Sequence, residues 1–235
     1  MRSQLYQRHT LWIRLTHWIN VIALTVLLMS GLQIFNAHPS LYWGSSSYTA
    51  AGAILHIENG FPSWATLPSV QWLAMGRRWH FFFAWILVLN AAAYLSYSMT
   101  SRHLARDLAV RKSDWRSVGS SFLAHLRLHR PRGEAARHYN VLQKLSYLLV
   151  IFGVLPLIVL TGLAMSPWLN SLAPGWVDFL GGRQSARTLH FSAAGLLVLF
   201  VVIHVFEVIV TGFWNNLRSM ITGRYRIEPE VRDDV

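Results

Sequence analysis

The chain has 235 residues, 53% of them hydrophobic and only 13% charged, with eleven tryptophans and a mean hydropathy of +0.33. That composition excludes an ordinary soluble domain and points to a chain dissolved in lipid. Cysteine is absent, which excludes thiolate-ligated iron–sulfur clusters, C-x-x-C-H haem attachment and dithiol chemistry, so any redox cofactor must hang on histidine.

Four segments are apolar for the ~20 residues a hydrocarbon core requires: residues 15–35, 79–99, 145–165 and 189–214. The first reads as a retained helix and not as a cleaved leader, because its apolar stretch runs on through Gly31 to Phe35 with no small-x-small site after it. The connection from 36 to 78 is rich in Gly, Ser, Pro and aromatics, and is expected to cap the interface, to lie in it as short amphipathic pieces or to offer a docking surface. The connection from 102 to 144 carries ten basic and three acidic residues. A short amphipathic helix is expected within it at 117–128, with Val118, Phe122, Leu123 and Leu126 on its apolar side against an anionic leaflet. Pro156 interrupts the third span, and Ser30-Gly31-Leu32 in the first is echoed by Thr161-Gly162-Leu163 in the third. Small residues there let helices or a flat ring approach closely.

A net charge of +11 would suit a nucleic-acid binder, but its distribution has another origin. Seventeen of the 21 Lys and Arg fall in the N-terminal tail, the 102–144 connection and the C-terminal tail. The positive-inside rule therefore puts both termini and that connection in the cytoplasm, with 36–78 and 167–188 outside. No nucleic-acid partner is implied.

Four histidines fall in or at the ends of the spans: His17, His80, His190 and His204. Fourteen residues at 100° each bring His204 within about 40° of the helix face of His190, roughly 21 Å further along. With the topology above, His80 and His190 meet at the outer depth and His17 and His204 at the inner one. A lone membrane histidine reads as a packing residue or proton relay; four at two matched depths read as two pairs, each clamping one haem iron. Arg14, Arg77 and Arg187 each precede one of these histidines by three residues, on the same face and at the water end, where propionates would need cations. Arg78 is a further candidate, and ordinary flanking charge is the competing reading. Two histidines per iron leave no open axial position, which points to electron transfer.

Arg14-x-x-His17-Trp18, Ser30-Gly31-Leu32, Arg77-x-x-His80, Tyr139-Asn140-x-x-Gln143-Lys144, His190-x13-His204 and Gly223-Arg224 resemble the bacterial di-haem cytochrome b subunits of formate dehydrogenases, nickel-iron hydrogenases and related molybdoenzymes, with the cytochrome b561-like proteins. The resemblance covers all four spans. It implies the same histidine pairing, two haem b groups, a bacterial inner membrane and a quinone pocket beside the inner haem, with Asn140, Gln143 and Lys144 toward the quinone. Asn140 also reads independently as a helix cap. Glu207, the only acid within the four spans, departs from the formate dehydrogenase pattern; it reads as a salt-bridge partner for an inner-side Arg or as a proton shuttle to quinone. The runs from Leu32 to Pro39 and from Gly181 to Arg187 look like the branch that accompanies periplasmic molybdopterin oxidoreductases of the sulfite-oxidase type; a hydrogenase or a soluble cytochrome remains open as partner.

The expected fold is thus an all-α integral-membrane protein, one domain over 1–235, whose four-helix transmembrane bundle encloses two stacked b haems with both termini cytoplasmic. The expected function is transmembrane electron transfer between quinone or quinol and a periplasmic redox protein. Two rivals stand beside it. A stand-alone superoxide:quinone oxidoreductase of the cytochrome b561 type would share the ligand layout, but the His-Glu-Thr associated with it is replaced by His190-Phe191-Ser192. A haem-free proton-relay transporter or anchor is disfavoured by spans broken only at Pro156. His9, His38, His56, His103, His125, His129 and His138 read as surface imidazoles, not as a metal site.

Overall fold

The computed structural model describes residues 4–126, 140–173 and 175–227. Residues 127 and 128 of the expected inner-loop helix, together with His129, His138 and Tyr139, lie outside the described residues. Four helical stretches are long and apolar enough to cross a membrane: α1 (Leu11–Asn36), α2 (Leu73–Thr100), a third over Val141–Ala164, and a fourth, Arg183–Val210. Only 11 to 22% of each apolar window is buried inside the protein. So much apolar side chain turned outward requires a lipid surround.

Between α2 and the third span lie α3 (Lys112–Arg116) and α4 (Val118–Leu126), the latter at the place expected for the amphipathic piece. The third span is not one regular helix. It consists of α5 (Val141–Leu149), a π-helical turn (Val150–Val154) and α6 (Leu155–Ala164). Pro156 explains the interruption: it has no N–H to give the preceding turn, and its ring crowds the carbonyl four residues back, so the backbone widens just upstream. After α7 (Pro167–Leu172) and α8 (Gly175–Phe179), the fourth span, α9, runs over Arg183–Val210. It stops short of the expected 214 because Gly212 takes φ +115°, and Phe213–Thr222 forms a separate α10.

The chain divides into two compact units. The first comprises Ile19–Ala91 and Ile151–Val198. Its 37–72 connection is a folded piece tied to α1 and to the start of α9. Asn36 Nδ2 donates to the Phe61 carbonyl at 2.8 Å while the Phe61 amide donates back to Asn36 Oδ1 at 2.7 Å. A short ladder pairs β2 (Ser40–Leu41) with β3 (Leu55–His56). The Gly44 carbonyl accepts from the Gln184 and Ser185 amides at 2.9 and 3.1 Å, and the Gly44 amide donates to Ser185 Oγ at 2.8 Å. Those two amides belong to the first turn of α9, where N–H groups have no partner of their own. Three residues further, Thr188 Oγ1 donates to the buried Tyr42 carbonyl at 2.6 Å. These bonds make the connection a cap on the start of α9, a role the sequence did not announce.

The second unit comprises Met1–Trp18, Ala92–Val150 and Leu199–Val235. Within it β1 (Gln4–Gln7) and β4 (Arg224–Ile227) form an antiparallel ribbon, Gln4 opposite Ile227 and Gln7 opposite Arg224. Gly223 closes it with φ +82° and its carbonyl accepts from the Arg8 and His9 amides. Trp18 Nε1 donates to the Met220 carbonyl at 3.1 Å, fastening α10 to α1.

Gly182 is the tightest joint of the capping piece. Its φ is +103°, and a Cβ there would stand 2.7 Å from the Gly44 carbonyl carbon and oxygen. Gly182→Ala combines left-handed strain with a backbone clash and is expected to destabilise the protein by more than about 1 kcal/mol. Thermal unfolding of the detergent-solubilised protein, compared with Gly175→Ala where a Cβ meets open space, measures the difference.

Candidate functional site

The two histidine pairs each lie within one unit. In the first, His80 on α2 faces His190 on α9 with ring centroids 6.1 Å apart and planes at 64°. In the second, His17 on α1 faces His204 on α9 at 6.4 Å and 60°. The pairing is the one the topology predicted. Among the described residues no group of three or more His, Cys, Asp or Glu gathers as a metal site. Two imidazoles binding one metal from opposite sides through Nε2, with metal–nitrogen bonds of about 2.0 Å, would hold their centroids about 6 Å apart. Both pairs meet that spacing, so they fit a haem iron.

The surroundings of the pairs differ. Ser30 Oγ lies 3.1 Å from His80 Nδ1, and Thr161 Oγ1 lies 3.2 Å from His190 Nδ1, which is also 2.9 Å from the Ile158 carbonyl. Gly31 and Gly162 adjoin these hydroxyl residues, and a Cβ on them would stand 3.4 and 3.3 Å from the Cε1 of His80 and His190. His17 and His204 have aromatic neighbours instead: Trp18 edge-on to His17, Tyr147 edge-on to His204, and Phe200 stacked on His204 at 5.9 Å. Sequence reading took Ser30 and Thr161 only as small residues that allow close approach; the repeated hydroxyl-Gly-Leu was the signal that more was there.

The four candidate arginines are used differently. Arg187 donates to the His38 carbonyl and, at 2.7 Å, to the Ser40 carbonyl, so its guanidinium already holds the capping piece. Arg77 lies over the Phe81 ring at 5.6 Å and Arg78 lines an apolar pocket with Met75, Trp79 and Phe82. Arg14 keeps a buried Nε with no hydrogen-bond partner. A buried guanidinium nitrogen without an acceptor suits an anionic carboxylate such as a propionate.

Asn140 and Gln143 form a reciprocal cap at the start of α5: the Gln143 amide donates to Asn140 Oδ1 at 2.9 Å and the Asn140 amide to Gln143 Oε1 at 3.3 Å. Lys144 Nζ is 2.9 Å from Asp114 Oδ2, and the Arg111 amide together with that ammonium holds the Asp114 carboxyl below its usual range. Glu207 sits on the last turns of α9, its carbonyl accepting from Thr211 Oγ1 at 2.6 Å.

His9 is buried, not the surface imidazole expected of it. It lies in a small cavity of about 100 Å³ with Arg8, Thr10, Tyr97, His103 and Arg106. Burial, and then the charges of Arg8, His17, His103 and Arg14, push its pKa down from 6.5 to about 4. A depressed folded pKa means that the neutral ring favours the fold above pH 6.5 and that this contribution is lost as pH falls toward 4. Wild type is therefore expected to lose stability faster than His9→Gln across that window, by at most about 1.4 kcal/mol per pH unit. Thermal unfolding of both proteins at a series of pH values reads the difference.

Residues 8–223 match the family described as prokaryotic cytochrome b561. A protein of Azospira oryzae named as a protein-methionine-sulfoxide reductase subunit, YedZ1, is 30% identical over 224 residues, 95% of this chain and 100% of its own. Proteins of Cupriavidus necator and Rhodobacter capsulatus, each named as a Ni/Fe-hydrogenase B-type cytochrome subunit, are 24% and 22% identical; each alignment spans 90% of this chain, and 83% and 78% of theirs. With four apolar helices and a match over nearly its whole length, the chain belongs to the prokaryotic cytochrome b561 family, bacterial membrane electron-transfer proteins of the b-haem kind.

Proposed function

We propose that this chain carries electrons across the bacterial inner membrane between quinone and a periplasmic oxidoreductase, using two b haems, one between His80 and His190 and one between His17 and His204. The observation behind it is the facing of two imidazole pairs at 6.1 and 6.4 Å on helices that turn apolar side chains to lipid. Held between these histidines, each haem would supply reversible one-electron chemistry. The basic residues of 102–144 and of both tails favour the cytoplasmic side for the termini and for the His17/His204 end. Arg14, with its unsatisfied Nε, is the first propionate partner at that end; Arg77 and Arg78 serve the other, and Arg187 adds positive charge there while holding the capping piece.

Quinone exchanges electrons at the His17/His204 end. Asn140, Gln143, Lys144 and Glu207 belong to the same compact unit as that pair. Asn140 and Gln143 fix the start of α5 and shape one side of the quinone pocket, and Lys144 and Glu207 exchange protons with water. For the partner, the full-length similarity to the Azospira oryzae protein supports an enzyme that reduces methionine sulfoxide in proteins, and the resemblance of the runs from Leu32 to Pro39 and from Gly181 to Arg187 supports a periplasmic molybdopterin oxidoreductase. Reducing one sulfoxide to a thioether and water takes two electrons and two protons. Electrons then run from quinol through the His17/His204 end to the His80/His190 end.

The purified protein is expected to show two b haems per chain in a reduced-minus-oxidised spectrum with haem quantitation. His80→Ala and His204→Ala are each expected to lose one haem and leave the other, and a quinol is expected to reduce wild type in seconds or faster. A folded wild type without haem would overturn the proposal.

A further inference from the structure

Helix chemistry decides which nitrogen of His80 and His190 is left for a ligand. Ser30 Oγ donates its proton to the Val26 carbonyl at 2.6 Å, with the Leu27 carbonyl at 3.3 Å. Thr161 Oγ1 does the same with the Leu157 carbonyl at 2.6 Å and the Ile158 carbonyl at 3.1 Å. A hydroxyl has one proton. With that proton committed to the carbonyl four residues back, each oxygen can only accept from the imidazole beside it, so Nδ1 of each ring must carry hydrogen. The Ile158 carbonyl, an acceptor only, lies 2.9 Å from His190 Nδ1 and requires the same tautomer.

Ser30 and Thr161 are both completely buried, so no water replaces either bond. Their glycine neighbours leave room for each ring, since a Cβ at Gly31 or Gly162 would stand 3.4 or 3.3 Å from its Cε1. The first span thus presents a hydroxyl and a glycine to a histidine on the next span, and the third span repeats the arrangement with the Ile158 carbonyl added.

Resting on the haem-ligand reading above, we infer that Ser30 and Thr161 are positioning residues of the His80/His190 haem site, which fix both imidazoles as Nδ1–H tautomers, leave Nε2 to the iron and set that haem's potential. An imidazole whose Nδ1–H is hydrogen-bonded is a stronger donor through Nε2, and a stronger donor favours the ferric state. Among the described residues His17 and His204 make no hydrogen bond, so the device serves one site and not the other.

The test uses the full-length protein in detergent with its haem bound. Ser30→Ala removes the acceptor of His80 and Thr161→Val removes one of the two acceptors of His190, leaving the Ile158 carbonyl, while Ser30→Thr and Thr161→Ser retain the hydroxyl. Potentiometric titration and low-temperature EPR report each haem separately. Each removal variant is expected to raise the midpoint potential of one haem, shift its low-spin EPR signal and weaken its haem affinity roughly ten-fold, with the other haem unmoved. The hydroxyl-retaining variants are expected to stay at wild-type values. Ser30→Ala deletes a single buried oxygen, so it supplies a folded test even where a second-site variant fails. Two bound haems whose potentials and signals do not move in the removal variants would overturn the positioning role alone. So would retaining variants that move as far as the removal variants, since packing would then be the cause. A folded wild type without haem would take down the ligand reading and this one together.

Discussion

In hydrocarbon, a polar atom must find its partner inside the protein, and this requirement governs most of the side-chain geometry in the spans. The hydroxyls of Thr16, Thr25, Ser30 and Thr161 all bond the carbonyl four residues back. Asn90 Nδ2 reaches Asn20 Oδ1 at 2.7 Å, pairing two amides that would each be costly alone. Imidazole is the group that such local bonding cannot finish. It has two nitrogens on opposite sides of a rigid ring, and one hydroxyl or carbonyl satisfies only Nδ1. The rings left with a nitrogen to spare stand in pairs, 6.1 and 6.4 Å between centroids, and there the fold has room for a partner beyond itself.

The 37–72 connection takes its form from the same requirement at the start of α9. A helix beginning at Arg183 has unpaired amides, and they are met by the Gly44 carbonyl. Arg187 and Thr188 then donate to the carbonyls of His38, Ser40 and Tyr42. These five bonds act on the two turns that precede His190, so the connection fixes the rotation of α9 about its axis at the point where one ring must face His80. Arg187 therefore has a structural duty whether or not it also neutralises a propionate, which ranks it below Arg14 as a dedicated anion partner.

The spans and the pairing of the four histidines were legible in the sequence because hydropathy and a fourteen-residue spacing are properties of one helix at a time. What escaped depended on distant partners or on backbone torsion. Nothing in Gln4–Gln7 announces a strand; it becomes one by meeting Arg224–Ile227 from the other end of the chain. The apolar run through Trp214 looks continuous to hydropathy, which does not register that Gly212 turns left-handed. His9 looked like surface because its neighbours are polar, yet the Gly223 turn and the cavity with Tyr97 and His103 enclose it. Ser30 and Thr161 were visible as small residues, but their proton is spent within their own helix, and only the ring arriving from the next helix reveals what the free lone pair is for.

The two histidine pairs have identical ligand sets and unequal surroundings, and that inequality bears on direction. At His80 and His190 every Nδ1 meets an oxygen acceptor, and His190 meets two. At His17 and His204 the near neighbours are the rings of Trp18, Tyr147 and Phe200, which accept hydrogen bonds weakly at best. Ligand basicity alone therefore draws the His80/His190 site toward lower potential and leaves the His17/His204 site higher. On the electron path proposed above, flow from quinol toward the His80/His190 end would be uphill within the protein on this term. It must be drawn forward by a partner of higher potential or relieved by cations, and Arg77, Arg78 and Arg187 stand at that end of α2 and α9. Positive charge beside an iron favours its reduced form, so those arginines oppose the hydroxyls, and the balance of the two sets how steep the internal step is.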